Sequence, residues 1–118
     1  MRYICLVYHE EKELRGLPRA DAARLDADSL AYDRKLGKAG KLVVAEALQP
    51  VRTAKTVRRR KGKVLVTDGP FAETKEQLLG FVMIEARDLD EALSIAAGIP
   101  LAAMGAVEVR AICDVPEP

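Results

Sequence analysis

Two segments of this chain are apolar on both sides, and that constrains the fold more than anything else in the sequence. In 2–8, Ile4, Leu6 and Tyr8 alternate with Tyr3, Cys5 and Val7, and in 78–86, Leu78, Val82 and Ile84 alternate with Leu79, Phe81 and Met83. Successive residues of a strand point to opposite faces, so a sheet with one wet face would alternate apolar and polar residues. These strands need cover on both faces. Two helices supply cover for one. Over 19–39, Leu25, Ser29, Tyr32 and Leu36 fall on one helical face, while Asp21, Asp26, Asp28 and Asp33 with Arg24, Arg34 and Lys35 make a solvated one, and Gly37 and Gly40 end the helix. Asp88-Leu89-Asp90-Glu91 is a capping-box start. Leu89, Ala92, Leu93, Ala96 and Ala97 give the second helix its apolar face, and Gly98 closes it before Pro100.

Strands at 42–48 and 106–112 and a hairpin of 53–59 with 63–67 around Lys61-Gly62 complete the pattern, with 10–18 read as a loop. Without the hairpin the order is βαββαβ. The expected class is α+β: a ferredoxin-like antiparallel sheet with two helices on one face and an inserted β-hairpin. A second copy of the chain is the simplest cover for the other face, because most soluble oligomers are symmetric homo-oligomers. A homodimer is therefore expected.

The 118 residues form one domain, 1–118, with no internal linker or repeat, and 49% hydrophobic and 31% charged residues suit a folded globular chain. A net charge of +1 argues against general attraction to nucleic acid or a membrane surface. No apolar run approaches the about 18 residues of a membrane-spanning helix. His9-Glu10-Glu11-Lys12 follows the apolar start where a signal peptide would need a cleavage site. Cys5 and Cys113 fall on expected strands near opposite chain ends and read as free thiols. These features together point to a cytoplasmic protein. With one histidine and no CxxC spacing, no metal is expected, and without a Gly-rich phosphate loop or dinucleotide fingerprint no cofactor is expected either.

The gap between the hairpin and the long strand, Asp68-Gly69-Pro70-Phe71-Ala72-Glu73-Thr74-Lys75-Glu76-Gln77, is longer than the two to five residues of an ordinary hairpin loop. Asp68 and Gly69 suit a tight turn, and Pro70 restrains Gly69. Asp68 is a candidate general base, against the plain reading of a turn aspartate accepting from backbone N–H groups in the loop. His9 is a candidate proton shuttle, or an exposed residue leaving the first strand. Tyr8, Tyr32, Gln49 and Phe71 are candidates to line a mostly apolar pocket with a few polar groups, with core packing the alternative for Tyr32. Glu73, Glu76 and Gln77 face a ligand, a partner chain or solvent. Arg58-Arg59-Arg60-Lys61-Gly62-Lys63 is a dense basic tip. Runs of this kind protect sheet edges, and without aromatic residues this one lacks stacking platforms for bases.

The chain resembles the DGPF group of YCII-related proteins. The resemblance rests on Gly62-Lys63-Val64-Leu65-Val66-Thr67-Asp68-Gly69-Pro70-Phe71 and Glu73-Thr74-Lys75-Glu76-Gln77-Leu78. Tyr3 to Tyr8, Tyr32, Ala39-Gly40-Lys41-Leu42, Leu48-Gln49-Pro50, Leu89-Asp90-Glu91-Ala92 and Val107-Glu108-Val109-Arg110 support it. Leu79 stands where that group has a second glycine before Gly80-Phe81, which narrows any space the glycine leaves open. The resemblance implies a dimeric α+β barrel of the ferredoxin-like kind. More distant YCII-related proteins pair a histidine with an aspartate, and an enzyme of chlorinated-aromatic breakdown resembles that branch. His9 lies in no motif matching that histidine, so the dyad does not transfer. Two function classes remain: a small enzyme doing proton-transfer or lyase-type chemistry on a small organic molecule, and a non-catalytic ligand-binding or protein-interaction module. The resemblance links the module to extracytoplasmic-function sigma-factor regulation.

Overall fold

Helices cover one face of a four-stranded antiparallel sheet, and a two-stranded arm stands apart from it. The computed structural model describes residues 1–118. In chain order the elements are β1 (Arg2–His9), α1 (Glu11–Arg15), α2 (Arg19–Lys38), β2 (Leu42–Ala47), β3 (Lys55–Arg60), β4 (Lys63–Asp68), β5 (Gln77–Glu85), α3 (Leu89–Ala97) and β6 (Ala106–Ala111). Short 3₁₀ turns lie at Val51–Thr53 and Pro100–Ala103. The sheet order is β2-β5-β1-β6, all neighbours antiparallel, which is the ferredoxin-like arrangement. The arm, β3 with β4, is a separate sheet.

Burial divides β1 as its alternation requires. Tyr3, Cys5 and Val7 are buried and Ile4, Leu6 and Tyr8 only half-buried. Across the ladder Tyr3 opposes Ile84, Cys5 opposes Val82 and Val7 opposes Gly80, so these line the helix side, where Leu36, Ala92, Ala96 and Ile99 meet them. On the other side Ile4 opposes Met83 and Leu6 opposes Phe81, and no element of the chain covers them. Only 11 of 118 residues are buried, because the core has one side.

The β1–β5 register departs from simple alternation at one place. After the Val7–Gly80 pair, Tyr8 pairs with Leu78, and Leu79 is left over as a bulge. A bulge re-aims the side chains beyond it. Leu78 thereby joins Tyr8 on the open face, and Leu79 turns to the helix side, the reverse of uninterrupted alternation. Gly80 lies beside the bulge, where a Cβ would run into the Glu46 carbonyl of β2.

The helices follow their sequence signals with local corrections. The inward face of α2 is Leu25, Ser29, Tyr32 and Leu36, with Leu36 buried. Gly40 takes φ +72 just past its end, and Lys41 N–H bonds Leu36 O at 2.9 Å. Asp88 caps α3, accepting from Glu91 N–H at 2.9 Å, while the Glu91 carboxylate accepts from Arg87 N–H at 2.9 Å and from Lys41 Nζ at 2.8 Å. The Lys41 hydrogen bond and then the Arg87 N–H hold this carboxyl below the usual glutamate range. The packed face of α3 is Ala92, Ile95 and Ala96, and Leu89 and Leu93 are exposed, because the short helix approaches the sheet on its alanines. Residues 10–18 contain the helix α1, whose five residues are too few to show a period. Both cysteines are free: Cys5 is buried and Cys113 exposed beyond the end of β6. Burial pushes the Cys5 thiol up to about 11. No helix is long and apolar enough to cross a membrane.

Gly80→Ala is expected to lower stability by about 1–3 kcal/mol, as overpacking does, measured by urea unfolding; a loss below experimental error would show that β2 yields freely. Glu91 gives a pH signature. Its folded pKa lies below the unfolded one, so its contribution is present above the unfolded value and lost as pH falls through the folded one. Wild type should lose an acid-side increment of stability below about pH 5 that Glu91→Gln does not lose.

Candidate functional site

Two clefts bracket the bulge. The first, of about 600 Å³, lies beneath the DGPF loop, where Tyr8, Gln49, Phe71, Glu73 and Leu78 line it. The chain builds it from strand ends. Gly69 takes φ +106, a conformation costly for residues with a side chain. Its N–H bonds Ala54 O at 2.8 Å, and Thr56 Oγ1 donates to Gly69 O at 2.9 Å, so the loop leaves the arm in a fixed direction. Pro70 then leads to Phe71, 80% exposed, with the Arg58 guanidinium 5.3 Å from its ring centre.

Gln77 holds the far wall. Its Nε2 donates to Thr74 O at 2.7 Å and Lys75 O at 3.2 Å, and its Oε1 accepts from Glu11 N–H at 3.0 Å. Thr74 Oγ1 closes on Glu76 O. Glu11 in turn accepts from Val51 N–H at 2.9 Å. With its amide engaged at both ends, Gln77 is a brace rather than a free ligand contact. Glu11 is a supporting residue that the sequence does not announce, because the five-residue helix it opens is too short to show a period.

The second cleft, of about 510 Å³, opens between α2 and the β2 side of the sheet, and Ser29, Tyr32, Asp33, Ala45, Leu79 and Leu101 are among its lining residues. Tyr32 Oη donates to Ile95 O at 2.6 Å, tying α2 to α3, and a Cβ at Gly98 would collide with its ring. Burial first, and the nearby Cys5 second, raise the Tyr32 hydroxyl. Burial also raises the Asp33 carboxyl.

The six sequence candidates therefore do not share one cavity. Tyr8, Gln49 and Phe71 meet beneath the loop, Tyr32 lines the second cleft, and His9 and Asp68 line neither. Asp68 does end β4, but its side chain is 88% exposed and takes Lys55 Nζ at 2.5 Å instead of the loop N–H groups. Lys55 is its direct cross-strand partner in the arm, which places the ammonium within easier reach than the loop backbone. His9 ends β1 half-buried opposite Gln77. Leu79, expected to narrow the space that a glycine there leaves open, lines the second cleft, because the bulge turns it to the helix side. No three His, Cys, Asp or Glu side chains cluster as metal ligands would.

The YCII-related domain model matches residues 1–116. An uncharacterized protein of Rhizobium meliloti (strain 1021) is 42% identical over 112 residues, covering 93% of this chain and 90% of that protein. The chain belongs to the YCII-related family. A solved structure, 5-chloro-2-hydroxyhydroquinone dehydrochlorinase from Burkholderia phenoliruptrix AC1100 in complex with 2,5-dihydroxybenzoquinone, aligns over 96% of this chain and 94% of its own with a TM-score of 0.58. At 18% identity that likeness bears on the fold, and it agrees with the α+β architecture of this YCII-related chain.

The hydrogen bonds rank the loop residues. Asp68→Ala removes an exposed ion pair and should cost less than about 1 kcal/mol. Gln77→Ala removes three hydrogen bonds worth about 1 kcal/mol each and should speed amide exchange across 70–76. Equal exchange in the two variants would contradict the bracing role of Gln77.

Proposed function

We propose that the cleft beneath the DGPF loop binds a small, partly apolar organic molecule carrying hydroxyl or carbonyl groups, and that the chain does proton-transfer or lyase-type chemistry on it. The observation that carries this is the meeting of Tyr8, Gln49 and Phe71 in one cleft of about 600 Å³, a size in the small-molecule range. Phe71 and Leu78 supply apolar walls. The Tyr8 hydroxyl and the Gln49 amide supply groups to orient a hydroxyl or carbonyl. Glu73 is the one carboxylate in the lining and takes the role of proton acceptor that the position of Asp68 does not favour. The likeness to the dehydrochlorinase fold adds modest support for small-molecule chemistry and suggests hydroxylated quinones as first probes.

The second reading is a binding module without catalysis. It draws on the absence of His9 and Asp68 from the cleft lining, which leaves acid–base work to one exposed carboxylate. A thermal-shift series separates the two. With 2,5-dihydroxybenzoquinone, simple phenols and keto acids, at least one class should raise the wild-type Tm by several degrees at saturating concentration, since a ligand at a hundred times its Kd adds about 2.7 kcal/mol. Gln49→Ala and Phe71→Ala should lose the shift. Glu73→Gln should keep the shift and lose turnover if the chain is an enzyme. A wild-type protein that no compound stabilises removes the small-molecule reading altogether.

A further inference from the structure

The two faces of the β3–β4 arm carry charge differently. Directly opposed residues of an antiparallel pair share a face. Val57, Val64 and Val66 therefore lie on one face with Lys55, Arg59 and Asp68, and Arg58, Arg60 and Lys63 lie on the other with Leu65. The valine face holds the one acid of the arm, Asp68, already paired with Lys55. The second face holds three cations and no acid. Arg60 stands directly opposite Lys63, a like-charge pair that weakens a ladder. None of the three enters an ion pair within the chain. Side-chain hydrogen bonds in the arm come from Lys55, Thr56 and Arg60, the last to the neighbouring Arg59 carbonyl. Arg58 is exposed and has no acceptor.

This cationic face adjoins the cleft beneath the DGPF loop. Thr56, on the same face, donates to Gly69 O at 2.9 Å. The Arg58 guanidinium lies 5.3 Å from the ring centre of Phe71, which lines that cleft. Attraction to an aromatic face holds a guanidinium in place without supplying it with an anion.

We infer that Arg58 receives the carboxylate of an organic acid bound in the cleft beneath the DGPF loop. The inference rests on the small-molecule reading of that cleft and narrows it to acids.

Charge decides the sign of the ligand. The cleft lining carries one carboxylate, Glu73, and no cation, so alone it would repel an acid. The arm face reverses this, setting Arg58, with Arg60 and Lys63 beyond it, against one carboxylate. A guanidinium is also the side chain best shaped to take a carboxylate by two parallel N–H bonds. Phosphate sites draw on helix N-termini or runs of free backbone N–H groups. Here the N–H groups of Gly69, Glu11 and Val51 are already taken, by Ala54 O, Gln77 Oε1 and the Glu11 carboxylate. Phe71 and Leu78 leave apolar walls for the body of the ligand, and about 600 Å³ suits a single ring or a short chain.

Calorimetric titration with matched acids and amides tests the assignment. The pairs are 2,5-dihydroxybenzoate with 2,5-dihydroxybenzamide and phenylpyruvate with phenylpyruvamide, which differ in charge and little in shape. Wild type should bind the acid of at least one pair about tenfold more tightly than its amide. Arg58→Gln should bring the two within about twofold. Arg58→Lys, which keeps the charge and loses the fork, should give an intermediate preference. Arg59→Gln, on the valine face, should keep the wild-type preference. The ratio is read within each variant, so a loosened loop lowers both affinities and leaves the comparison intact. An amide that binds wild type as tightly as its acid overturns the assignment. So does an acid preference that survives Arg58→Gln, or one that Arg59→Gln abolishes equally, which would reflect the general charge of the arm. Phenyl phosphate binding more tightly than either acid, and through Arg58, reassigns the residue to phosphate and also overturns it. Amides that bind as well as acids leave the small-molecule reading standing; a protein that binds neither removes both.

Discussion

The antiparallel pairing of β1 with β5 is the contact on which everything else hangs. Both strands lie inside the sheet, both are apolar on two faces, and their ladder sets which residues enter the one-sided core. It also contains the bulge. By leaving Leu79 unpaired between the Val7–Gly80 and Tyr8–Leu78 pairs, the ladder sends consecutive leucines to opposite sides, one into each cleft. A regular ladder there would place Leu79 beneath the DGPF loop and Leu78 toward α2.

Much of this was legible in the sequence because it rests on local rules. The period of α2, the Asp88–Glu91 cap, the Lys61-Gly62 turn and the alternation of β1 each involve residues within a few positions of one another, and each fixed its element to within a residue or two. The misses share a different cause. The bulge depends on how two distant strands register. The exposed leucines of α3 depend on how closely the helix approaches the sheet. The tie between Asp68 and Lys55 depends on cross-strand neighbours, so a carboxylate that looks like a turn aspartate, or a base, in the linear chain is held by a lysine thirteen positions earlier.

The same distinction holds for the site. Tyr8, Gln49 and Phe71 converge because they sit at the ends of strands that the fold brings to one edge. Tyr32 does not, since its hydroxyl is needed to join α2 to α3. The supports of the cleft, Glu11 and Gln77, accept and donate hydrogen bonds across 66 positions of sequence, a relation that no local pattern announces.

The separateness of the arm has a consequence for how such a chain can change. It is hooked to the body through Ala54 and Gly69 and shares no ladder with the main sheet, so its length is free of the register that fixes β1 and β5. Lengthening a flexible connection is cheap, about 0.6 kcal/mol per doubling, and adding two residues to each strand would extend the arm with its faces intact. Adding one to each strand near the root would exchange the faces, presenting Arg58 and Leu65 where the valines now stand. Length in this arm is therefore quantised by the pleat.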